Sequence, residues 1–539
     1  MSQDDTHRVS EERRRLLQGA GMLAAGGLAG LAGCAGGGGG ESPTATASAE
    51  EMASATETPG QPQQGGDFVY ALSDDSQKLD PHYRVTKASS QLLVNVVDPL
   101  FRINNELQPV PNIVADYSVS DDNLEYVFTI REGLMFHPPV DRELTAEDVA
   151  ASLTRIKEDT SAAAHNDLKR AESIEATGDY EVTLTLAEPF APILTTLARD
   201  TTAILPKDYF EEMSSKPVGS GAFVFEEREK GNFAQLSAFD GYWQEDLPYF
   251  DTVKSRPISD GSVRLTELDT GNVHVVGSVP SNDAGSVEDN DALSLEPLSG
   301  LAIEEFAFNN EVEPFTDKRV RKAISHAVDK EKLVKFALEG YGSTAATTLP
   351  PQSAYAIDAD PLAQDFETAQ SLLDDAGYGD GFETTIKLPS SYPRSVKLGT
   401  PVKEWLKQIG IEAELEKVTW DNWISNVFGK GEFEMTTVPF YGAFNPHVAL
   451  YKIFRTDATF NFFNYSNEEF DALVDEGAKT ADTEKRTELY KEAQQIMRED
   501  LPIFLPFYRD QLFARRKTVE NQLVWGSGSM RFWRNWFEK

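Results

Sequence analysis

The stretch from Pro314 to Leu338 constrains the fold more than any other part of this sequence. Apolar residues recur there at intervals of three and four positions, which places them on one face of an α-helix. Thr316 or Asp317 can cap the N-terminus of this helix, and Gly340 can end it. The pattern therefore predicts one amphipathic helix. Its apolar face consists of Val320, Ala323, Ile324, Ala327 and Val328, and the charged residues beside or opposite that face are Arg319, Arg321, Lys322 and Lys330.

A strand is predicted immediately before this helix. Residues 304–310 alternate apolar and polar side chains and end in Asn309-Asn310, a pair that favours a turn. The residues alone therefore predict a strand that leads into a helix. The order of strand, Asn pair, Pro-Phe-x-Asp at 314–317 and Arg-Val-Arg-x-Ala at 319–323 resembles the large extracytoplasmic solute-binding proteins of ABC importers (family 5), which bind dipeptides, oligopeptides or nickel.

Further motifs of that family follow one another between about residues 68 and 524. Each motif is short, and it is their common order that makes the resemblance specific. Pro138-Pro139 stands where the family usually has Asp-Gly, so that loop is expected to differ. The motifs are Leu-Asp-Pro-His-Tyr at 79–83, Val-Asp-Pro-Leu-Phe at 97–101, the Asp-rich turn and strand at 121–133, Phe136-His137, the helix start at 144–149 with capping-box spacing of Thr145 and Asp148, Pro-Val-Gly-Ser-Gly-Ala-Phe at 217–223, and the Pro-interrupted run at 501–508.

The acidic composition excludes some classes of partner. The 539 residues include 88 acidic and 50 basic ones, which gives a net charge of −38, and the excess lies beyond residue 34. Such a surface repels nucleic acid and anionic membranes. At about 1 M salt the Debye length is only ~3 Å, so self-repulsion of the surface is screened. We interpret the charge as an adaptation to a very salty medium; an ordinary acidic surface is the alternative.

Residues 1–34 are predicted to be a twin-arginine lipoprotein signal peptide. Arg13-Arg14-Arg15 resembles the twin-arginine motif, and an uncharged segment rich in Ala, Gly and Leu follows at 16–33. Leu31-Ala-Gly-Cys34 resembles a lipobox, so Cys34 is predicted to be lipidated. A transmembrane anchor is the alternative, and the high glycine content disfavours it. Residues 35–66 are expected to form a disordered tether, and the single cysteine excludes an intrachain disulfide.

The sequence contains no convincing catalytic or cofactor-binding constellation. It lacks a Gly-x-Ser-x-Gly elbow, a His-Glu-x-x-His pair and a Walker loop, and its one cysteine is assigned to the lipobox. The seven histidines are dispersed without the spacing of metal ligands. A secreted enzyme would need a catalytic cluster, and a surface adhesin would need repeats or an exposed aromatic patch. We therefore predict a binding protein with no enzymatic activity, no cofactor and no metal.

The loop at 439–447, Pro-Phe-Tyr-Gly-Ala-Phe-Asn-Pro-His, is the predicted ligand site; an aromatic loop that packs on its own lobe is the alternative. In the family, the matching loop supplies a Trp and, in peptide binders, an Asp for the α-amine of the peptide. Tyr441 takes the aromatic position here, and Phe444-Asn445 takes the Asp position. The run ending in His447 also resembles the nickel-binding branch, so the loop alone does not decide the branch. The predicted ligand-binding residues are Tyr441, Gly442, Phe444, Asn445, His447, Trp420 and Tyr83.

The resemblance implies an α/β fold, a two-lobed periplasmic-binding-protein-like clamp with an extra subdomain in the first lobe. It also implies capture of peptides outside the membrane and delivery to the transmembrane subunits of an ABC permease. The protein is expected to be a monomer, lipid-anchored at the extracytoplasmic face of the membrane, and the alternative ligands are a nickel chelate or an oligosaccharide. The expected segments are a first lobe at 67–300 with its subdomain at about 113–216, a second lobe at 301–502, and a return to the first lobe at 503–539.

Overall fold

The computed structural model describes residues 62–83, 86–104, 108–351, 353–441, 445–480, 482–521, 523–525 and 528–538. These residues divide into two compact units. The discontinuous unit combines 62–298 with 512–538, and the continuous unit is Ser299–Gln511. The predicted signal peptide, the lipidation site at Cys34 and most of the predicted tether lie outside the described residues.

The discontinuous unit is built around a sheet whose first strand alternates buried side chains. Phe68, Tyr70 and Leu72 point to one face of that strand and are buried. The strands of this part of the chain are β1 (Asp67–Leu72), β2 (Phe101–Ile103), β3 (Pro109–Pro111), β4 (Val114–Val119), β5 (Glu125–Ile130), β6 (Ala171–Ala176), β7 (Glu181–Leu186), β8 (Phe223–Glu229), β9 (Phe233–Ala238), β10 (Thr252–Pro257) and β11 (Val275–Gly277). β1 pairs in parallel with β10 and β11, and β9 and β8 extend the sheet antiparallel beyond β10.

A smaller antiparallel sheet in the order β4-β5-β7-β6 belongs to the same unit. The helices up to this point in the chain are α1 (Lys87–Leu93), α2 (Ala146–Glu158), α3 (His165–Leu168), α4 (Ile193–Thr196), α5 (Gly261–Thr270) and α6 (Ala284–Glu288). Helix α2 packs on β6 and β7. It begins with the predicted capping box, in which Thr145 N donates to Asp148 Oδ2 at 3.1 Å.

The glycines of the motif at 217–223 allow two backbone segments to lie against each other. A Cβ on Gly219 would stand 2.3 Å from the Val96 backbone oxygen, and one on Gly221 would stand 2.6 Å from the Val96 carbonyl carbon. Both distances are far inside van der Waals contact, so no side chain fits at either position. The residues just before β8 therefore pack directly against Val96 and Val97, which follow α1.

The continuous unit contains the second set of strands, which are β12 (Leu293–Phe308), β13 (Gly342–Thr344), β14 (Phe382–Pro389), β15 (Ile411–Val418), β16 (Met435–Tyr441) and β17 (Ile503–Arg516). The chain enters this unit within β12 and leaves it within β17. Among the described residues the strand order is β15-β14-β16-β12-β17, with β13 paired to β17. From Ala302 to Phe308, β12 pairs with β16, and β17 lies along its other edge, so this part of the strand has a partner strand on each side.

The helices of the continuous unit cover the faces of this sheet. They are α7 (Lys318–Ala327), α8 (Lys330–Leu338), α9 (Phe366–Ala376), α10 (Pro393–Lys407), α11 (Trp420–Asn422), α12 (Lys452–Phe454), α13 (Glu468–Lys479) and α14 (Thr483–Asp500), with π-helical segments at Trp423–Phe428 and His447–Tyr451. Gly377 ends α9 in the left-handed region with φ of 86°, a conformation that costs glycine little.

The prediction of a single helix over 314–338 is wrong, because the chain forms two helices there, α7 and α8. Val328 is extended between them, with φ of −93° and ψ of 127°. The side chain of Asp329 accepts a hydrogen bond from Lys332 N at 2.9 Å and thereby caps α8. Asp317, one of the two predicted caps, does the same for α7. An aspartate that accepts from the N–H groups ahead of it begins a new helix instead of continuing the old one.

Two charged residues that we expected beside or opposite the apolar face, Arg321 and Lys330, are buried. Arg321 Nη1 donates to the Phe315 carbonyl at 2.6 Å, and its Nε donates to the carbonyls of Asp500 and Leu501 at the end of α14. Lys330 Nζ donates to two backbone carbonyls. Backbone carbonyls that lack a partner within their own helix, such as those at the C-terminus of α14, therefore help to satisfy these cations.

The core of the continuous unit consists of two apolar clusters on opposite faces of β12. Ile303 and Ala307 belong to one, named here the Ile303 cluster, and Phe306 and Phe308 belong to the other, the Phe306 cluster. Successive side chains of a strand point to opposite faces. The two adjacent glutamates at 304–305 therefore enter one core each.

The chain returns to the discontinuous unit at the end of β17, which pairs antiparallel with β11. The last strands are β18 (Val519–Glu520) and β19 (Trp536–Phe537), which pair with each other. Within the described part of the chain, no helix has both the length and the apolar character required to cross a membrane.

Candidate functional site

The predicted site begins where β16 ends. Antiparallel pairing with β12 places Val438 opposite Glu305 and Tyr441 opposite Ala302. Tyr441 is therefore the last residue of a strand that is held between β12 and β14. Gly442 and Phe444, which are also predicted to contact the ligand, lie outside the described residues.

Asn445 and His447 begin the helical segment that follows the loop. Asn445 is buried, its Oδ1 accepts a hydrogen bond from His447 N at 2.9 Å, and its backbone oxygen accepts from Val448 N and Ala449 N. His447 is also buried, and its ring stacks on Tyr451 with the centroids 4.6 Å apart. Both residues therefore have a local structural role, which the sequence pattern did not indicate.

Trp420 belongs to an aromatic stack. Its ring is nearly parallel to that of Trp423, with centroids 5.0 Å apart, and it meets the edge of Tyr392 at 5.2 Å. Trp423 is fixed in turn, because its Nε1 donates to Thr436 Oγ1 at 2.9 Å. Trp420 and Tyr451, the stacking partner of the loop histidine, both pack against the Ile303 cluster. Trp420 and the stacking partner of His447 therefore pack against the same apolar cluster.

Tyr83 lies in the discontinuous unit, at the end of a short 3₁₀ turn. Its hydroxyl donates to Asp159 Oδ2 at 2.7 Å, and the Arg155 guanidinium lies over its ring, 4.9 Å from the centroid. Burial, followed by the hydrogen bond to Asp159, raises the pKa of Tyr83 to about 12. The hydroxyl is therefore protonated at neutral pH and already has an acceptor.

Two adjacent acidic side chains of β12 are buried in the continuous unit, which the sequence analysis did not predict. Glu304 and Glu305 are 0% and 3% exposed. Glu304 Oε1 accepts hydrogen bonds from Ser395 Oγ and, at 3.4 Å, from Thr437 Oγ1. Among the described residues, Oε2 of each glutamate has no hydrogen-bond partner. Sequence reasoning missed this pair, although two adjacent residues of a strand cannot both lie on its solvent-facing side.

Burial raises the pKa of both carboxyl groups. For Glu304, the charges of Arg509 and Arg394 and the hydrogen bond from Ser395 oppose the rise. For Glu305, burial and then the nearby Glu304 carboxylate raise the pKa to about 8. Glu305 is therefore mostly neutral at pH 7, so it can donate a hydrogen bond as well as accept one.

The side chains described above can bind a solute by non-covalent contacts. Aromatic faces, an amide, hydroxyls and a neutral carboxyl form stacking contacts and hydrogen bonds with a solute. In the part of the chain that the structure describes, no group of three or more His, Cys, Asp and Glu side chains is placed to hold a metal ion.

Comparison with known proteins identifies the family. Residues 108–462 match the model of the bacterial extracellular solute-binding proteins, family 5 (middle). The glutathione-binding protein GsiB of Salmonella paratyphi A is 30% identical over 463 residues, which cover 83% of this chain and 90% of that protein.

Two solved structures show the same architecture. DppA from Helicobacter pylori, an ABC transporter-associated periplasmic binding protein in complex with the peptide STSA, matches with a TM-score of 0.74 at 27% identity and covers 88% of this chain and 99% of its own. The oligopeptide-binding protein AppA from Bacillus subtilis, in complex with a nonapeptide, matches with a TM-score of 0.73 at 26% identity and covers 89% of this chain and 100% of its own.

These matches confirm the predicted mixed α/β fold of periplasmic binding proteins, with its additional small antiparallel sheet. They also confirm an extracytoplasmic binding protein that is not an enzyme. The match to the family model extends over more than half of the chain, and the order of short motifs in the sequence agrees with it. The chain belongs to family 5 of the bacterial extracellular solute-binding proteins, the binding components of ABC transporters.

Proposed function

We propose that this protein captures peptides outside the membrane and delivers them, as a monomer, to the permease of an ABC importer. The observation that carries the proposal is the likeness, over most of the chain, to a glutathione-binding protein and to two structures that hold peptides. Glutathione is itself a small peptide. The three ligands therefore share amide groups and carboxylates as the chemistry that a site can recognise.

The peptide is proposed to contact the continuous unit at the end of β16. Tyr441 would stack on the ligand or hydrogen-bond to it, and Trp420, oriented by Trp423, would supply an apolar wall. Asn445 Oδ1 already accepts from the backbone N–H two residues ahead. The group that Asn445 offers a ligand is therefore its Nδ2 donor, which suits a peptide carbonyl oxygen. The remaining proposed contacts are Gly442, Phe444 and, in the discontinuous unit, Tyr83, whereas His447 would contact a ligand only in the nickel-chelate alternative.

The loop offers no carboxylate for the amino group of a peptide. Where peptide binders of the family carry an aspartate, this chain has Phe444-Asn445, and a neutral amide pairs weakly with a cationic amine. Recognition is therefore proposed to depend on backbone carbonyls and on aromatic stacking. Ligand side chains can then be left to water-filled space, which tolerates varied peptide sequences.

Truncation of the aromatic residue tests the proposed site. Tyr441→Ala should weaken binding of a dipeptide, glutathione or a longer peptide by about 1–3 kcal/mol, as expected for the loss of an aromatic anchor. Isothermal titration calorimetry measures this loss, and thermal unfolding should be nearly unchanged. Tyr378→Ala, in the turn after α9, is the matched control. It removes a tyrosine outside the proposed site whose hydroxyl donates to Glu313 Oε2 at 3.1 Å, so ligand affinity should not change. If Tyr441→Ala unfolds the protein and the folded remainder keeps its affinity, the loop is core and the site is misplaced.

His447 separates the two branches of the family. It is buried and stacked on Tyr451, so it serves packing in the peptide proposal. His447→Gln should leave peptide affinity nearly unchanged. A loss of nickel-dependent binding in this variant would instead favour the nickel-chelate alternative, and binding of a sugar by the wild-type protein would favour an oligosaccharide.

We further propose that the protein is anchored by a lipid at Cys34 after export through the twin-arginine pathway. The supporting observations are the arginine run, the uncharged segment and the lipobox-like end of that segment. Cys34→Ser should release the protein into the medium or leave it unprocessed. A variant that is processed and remains on the membrane at the wild-type level would refute the anchor.

The acidic surface is proposed to be an adaptation to high salt. With a net charge of −38, self-repulsion falls as salt screens it, so the unfolding midpoint should rise steeply between low and molar salt. Thermal unfolding over a salt series measures this rise. A midpoint that does not change with salt would show that the surface charge costs the fold little.

A further inference from the structure

Two arginines of the discontinuous unit are buried against the same tryptophan. Arg102, in β2, is 4% exposed, and Arg531, in the C-terminal segment, is 8% exposed. The Arg102 guanidinium lies 4.4 Å from the centroid of the Trp533 ring, and the Arg531 guanidinium lies 5.6 Å from it. Arg531 also lies 5.5 Å from the ring of Trp525, which stacks on Trp533 at 6.2 Å. The four side chains therefore form one compact group, named here the Arg102–Arg531 cluster.

Among the described residues, one acidic side chain, Asp98, forms an ion pair with this cluster, and it already accepts several other hydrogen bonds. Asp98 is fully buried and accepts hydrogen bonds from Arg102 Nη2, from Asn112 Nδ2 at 3.1 Å and from Ser220 Oγ at 3.4 Å. Arg102 Nη2 also donates to the Tyr242 hydroxyl at 3.4 Å. Asp98 therefore neutralises one guanidinium and has little capacity left for a second.

Several N–H donors of the cluster have no acceptor. Among the described residues, Arg102 Nη1, Trp525 Nε1 and Trp533 Nε1 are buried without a hydrogen-bond partner. The Arg531 guanidinium makes no hydrogen bond with any described residue. It lies over the two indole rings and interacts at longer range with the charges of Arg102, Asp98 and Asp200. Buried donors without acceptors are costly, and here at least three different side chains contribute them at one place.

The charge of the cluster is also unbalanced. Burial, followed by repulsion from Arg102, lowers the pKa of Arg531 to about 9, and it therefore remains protonated at neutral pH. Burial and Arg102 also lower the pKa of Arg534, a third cation of the same segment. The acids that act on Arg531 are Asp98 and Asp200. Backbone carbonyls stabilise buried cations in the continuous unit, as at Arg321, but no described carbonyl accepts from the Arg531 guanidinium, so an anion is the group that would compensate its charge.

We propose that the Arg102–Arg531 cluster binds a small monovalent anion, chloride, which accepts hydrogen bonds from the free donors of Arg102, Arg531 and Trp533. The low exposure of both arginines favours an ion of atomic size over a larger carboxylate. Chloride is also the abundant anion of a salty medium, and the acidic surface of this chain is proposed above to be an adaptation to such a medium. The inference does not depend on the peptide proposal.

Chloride NMR line broadening on the mature protein tests the site. Sodium concentration and ionic strength are held constant while chloride is exchanged for gluconate, so general screening of the surface does not change. Arg531→Gln should abolish the protein-dependent excess broadening. Arg228→Gln, which removes an arginine of the same unit that is paired with Asp75 at 3.0 Å, should retain it. Equal broadening in Arg531→Gln and the wild type would overturn the proposal.

A second measurement decides the matter if Arg531→Gln does not fold. Crystals of the wild-type protein grown in bromide should show an anomalous peak within contact of Arg102, Arg531 and Trp533. The absence of a peak there, with ordered side chains at full bromide concentration, would overturn the proposal.

Discussion

Glu304 and Glu305 in the continuous unit are buried, and so are Arg102 and Arg531 in the discontinuous unit. The two pairs differ in whether burial can remove their charge. A carboxyl group can lose its charge within the physiological pH range, and burial raises the pKa of Glu305 to about 8. A guanidinium remains charged even when burial lowers the pKa of Arg531 to about 9. A buried acid can therefore be accommodated by a proton, whereas a buried arginine keeps its charge and needs backbone carbonyls, as Arg321 has, or a counter-ion.

The largest effect is expected from removal of the charge of Asp98, the buried acid that pairs with Arg102. Asp98→Asn preserves volume but leaves a buried guanidinium without its counter-charge, which should cost about 3–5 kcal/mol of unfolding free energy. Urea unfolding measures the loss. The control is Glu188→Gln, which removes the more exposed ion pair with Arg170 at 2.7 Å in the same unit, and it should cost less than about 1 kcal/mol. Equal costs for the two variants would remove the contrast between buried and exposed pairs.

A smaller effect is expected from Glu305, and it depends on pH. The folded-state pKa of about 8 exceeds the ordinary value of 4.5, so between these values the native protein retains a proton that the unfolded chain has lost. The stabilising contribution is therefore full below pH 4.5 and is lost as pH rises towards 8. In Glu305→Gln this loss cannot occur, so wild-type stability should fall relative to the variant by roughly 2 kcal/mol between about pH 6 and pH 8.

Urea unfolding at several pH values measures that difference. Glu331→Gln, at an exposed position in α8, is the matched control and should leave the pH profile unchanged. Parallel profiles for the wild type and Glu305→Gln would show that Glu305 is ionised in the folded protein.

The smallest effect is expected at an acid that keeps its charge and is only partly buried, Asp329. Asp329 caps α8 by accepting from Lys332 N, so Asp329→Ala should cost about 1 kcal/mol. Asp329→Asn retains an acceptor oxygen and should cost only a few tenths of that amount. Thermal unfolding compares the two, and equal losses would mean that charge, and not capping, is what Asp329 contributes.

The sequence predicted elements whose signals are local. Alternation of buried residues gives β1, the spacing of Thr145 and Asp148 gives the start of α2, and Asp317 gives the start of α7. The prediction of a single helix over 314–338 failed because the apolar spacing continues from α7 into α8. The two helices are separated where Asp329 caps the start of α8. The spacing of apolar residues predicts which face of a helix is buried, but it does not predict where the helix ends.

The candidate site was predictable only in part, because its polar contacts are tertiary. Tyr441 is predicted to contact the ligand because it takes the aromatic position of the family's loop. The stack of Trp420 on Trp423 forms only when α11 and the segment after it fold. The buried state of Glu304 depends on a strand on each side of β12 and on Ser395 at the start of α10. Adjacent glutamates in a strand carry no local sign of which neighbours will cover them.

Peptide capture is the central claim, and the most direct test is mass spectrometry of the material released on denaturing the gently purified protein. The account predicts masses of peptides in the wild-type preparation and their depletion in the Tyr441→Ala preparation. A metal chelate or an oligosaccharide in place of peptides, retained equally by both preparations, would contradict the claim.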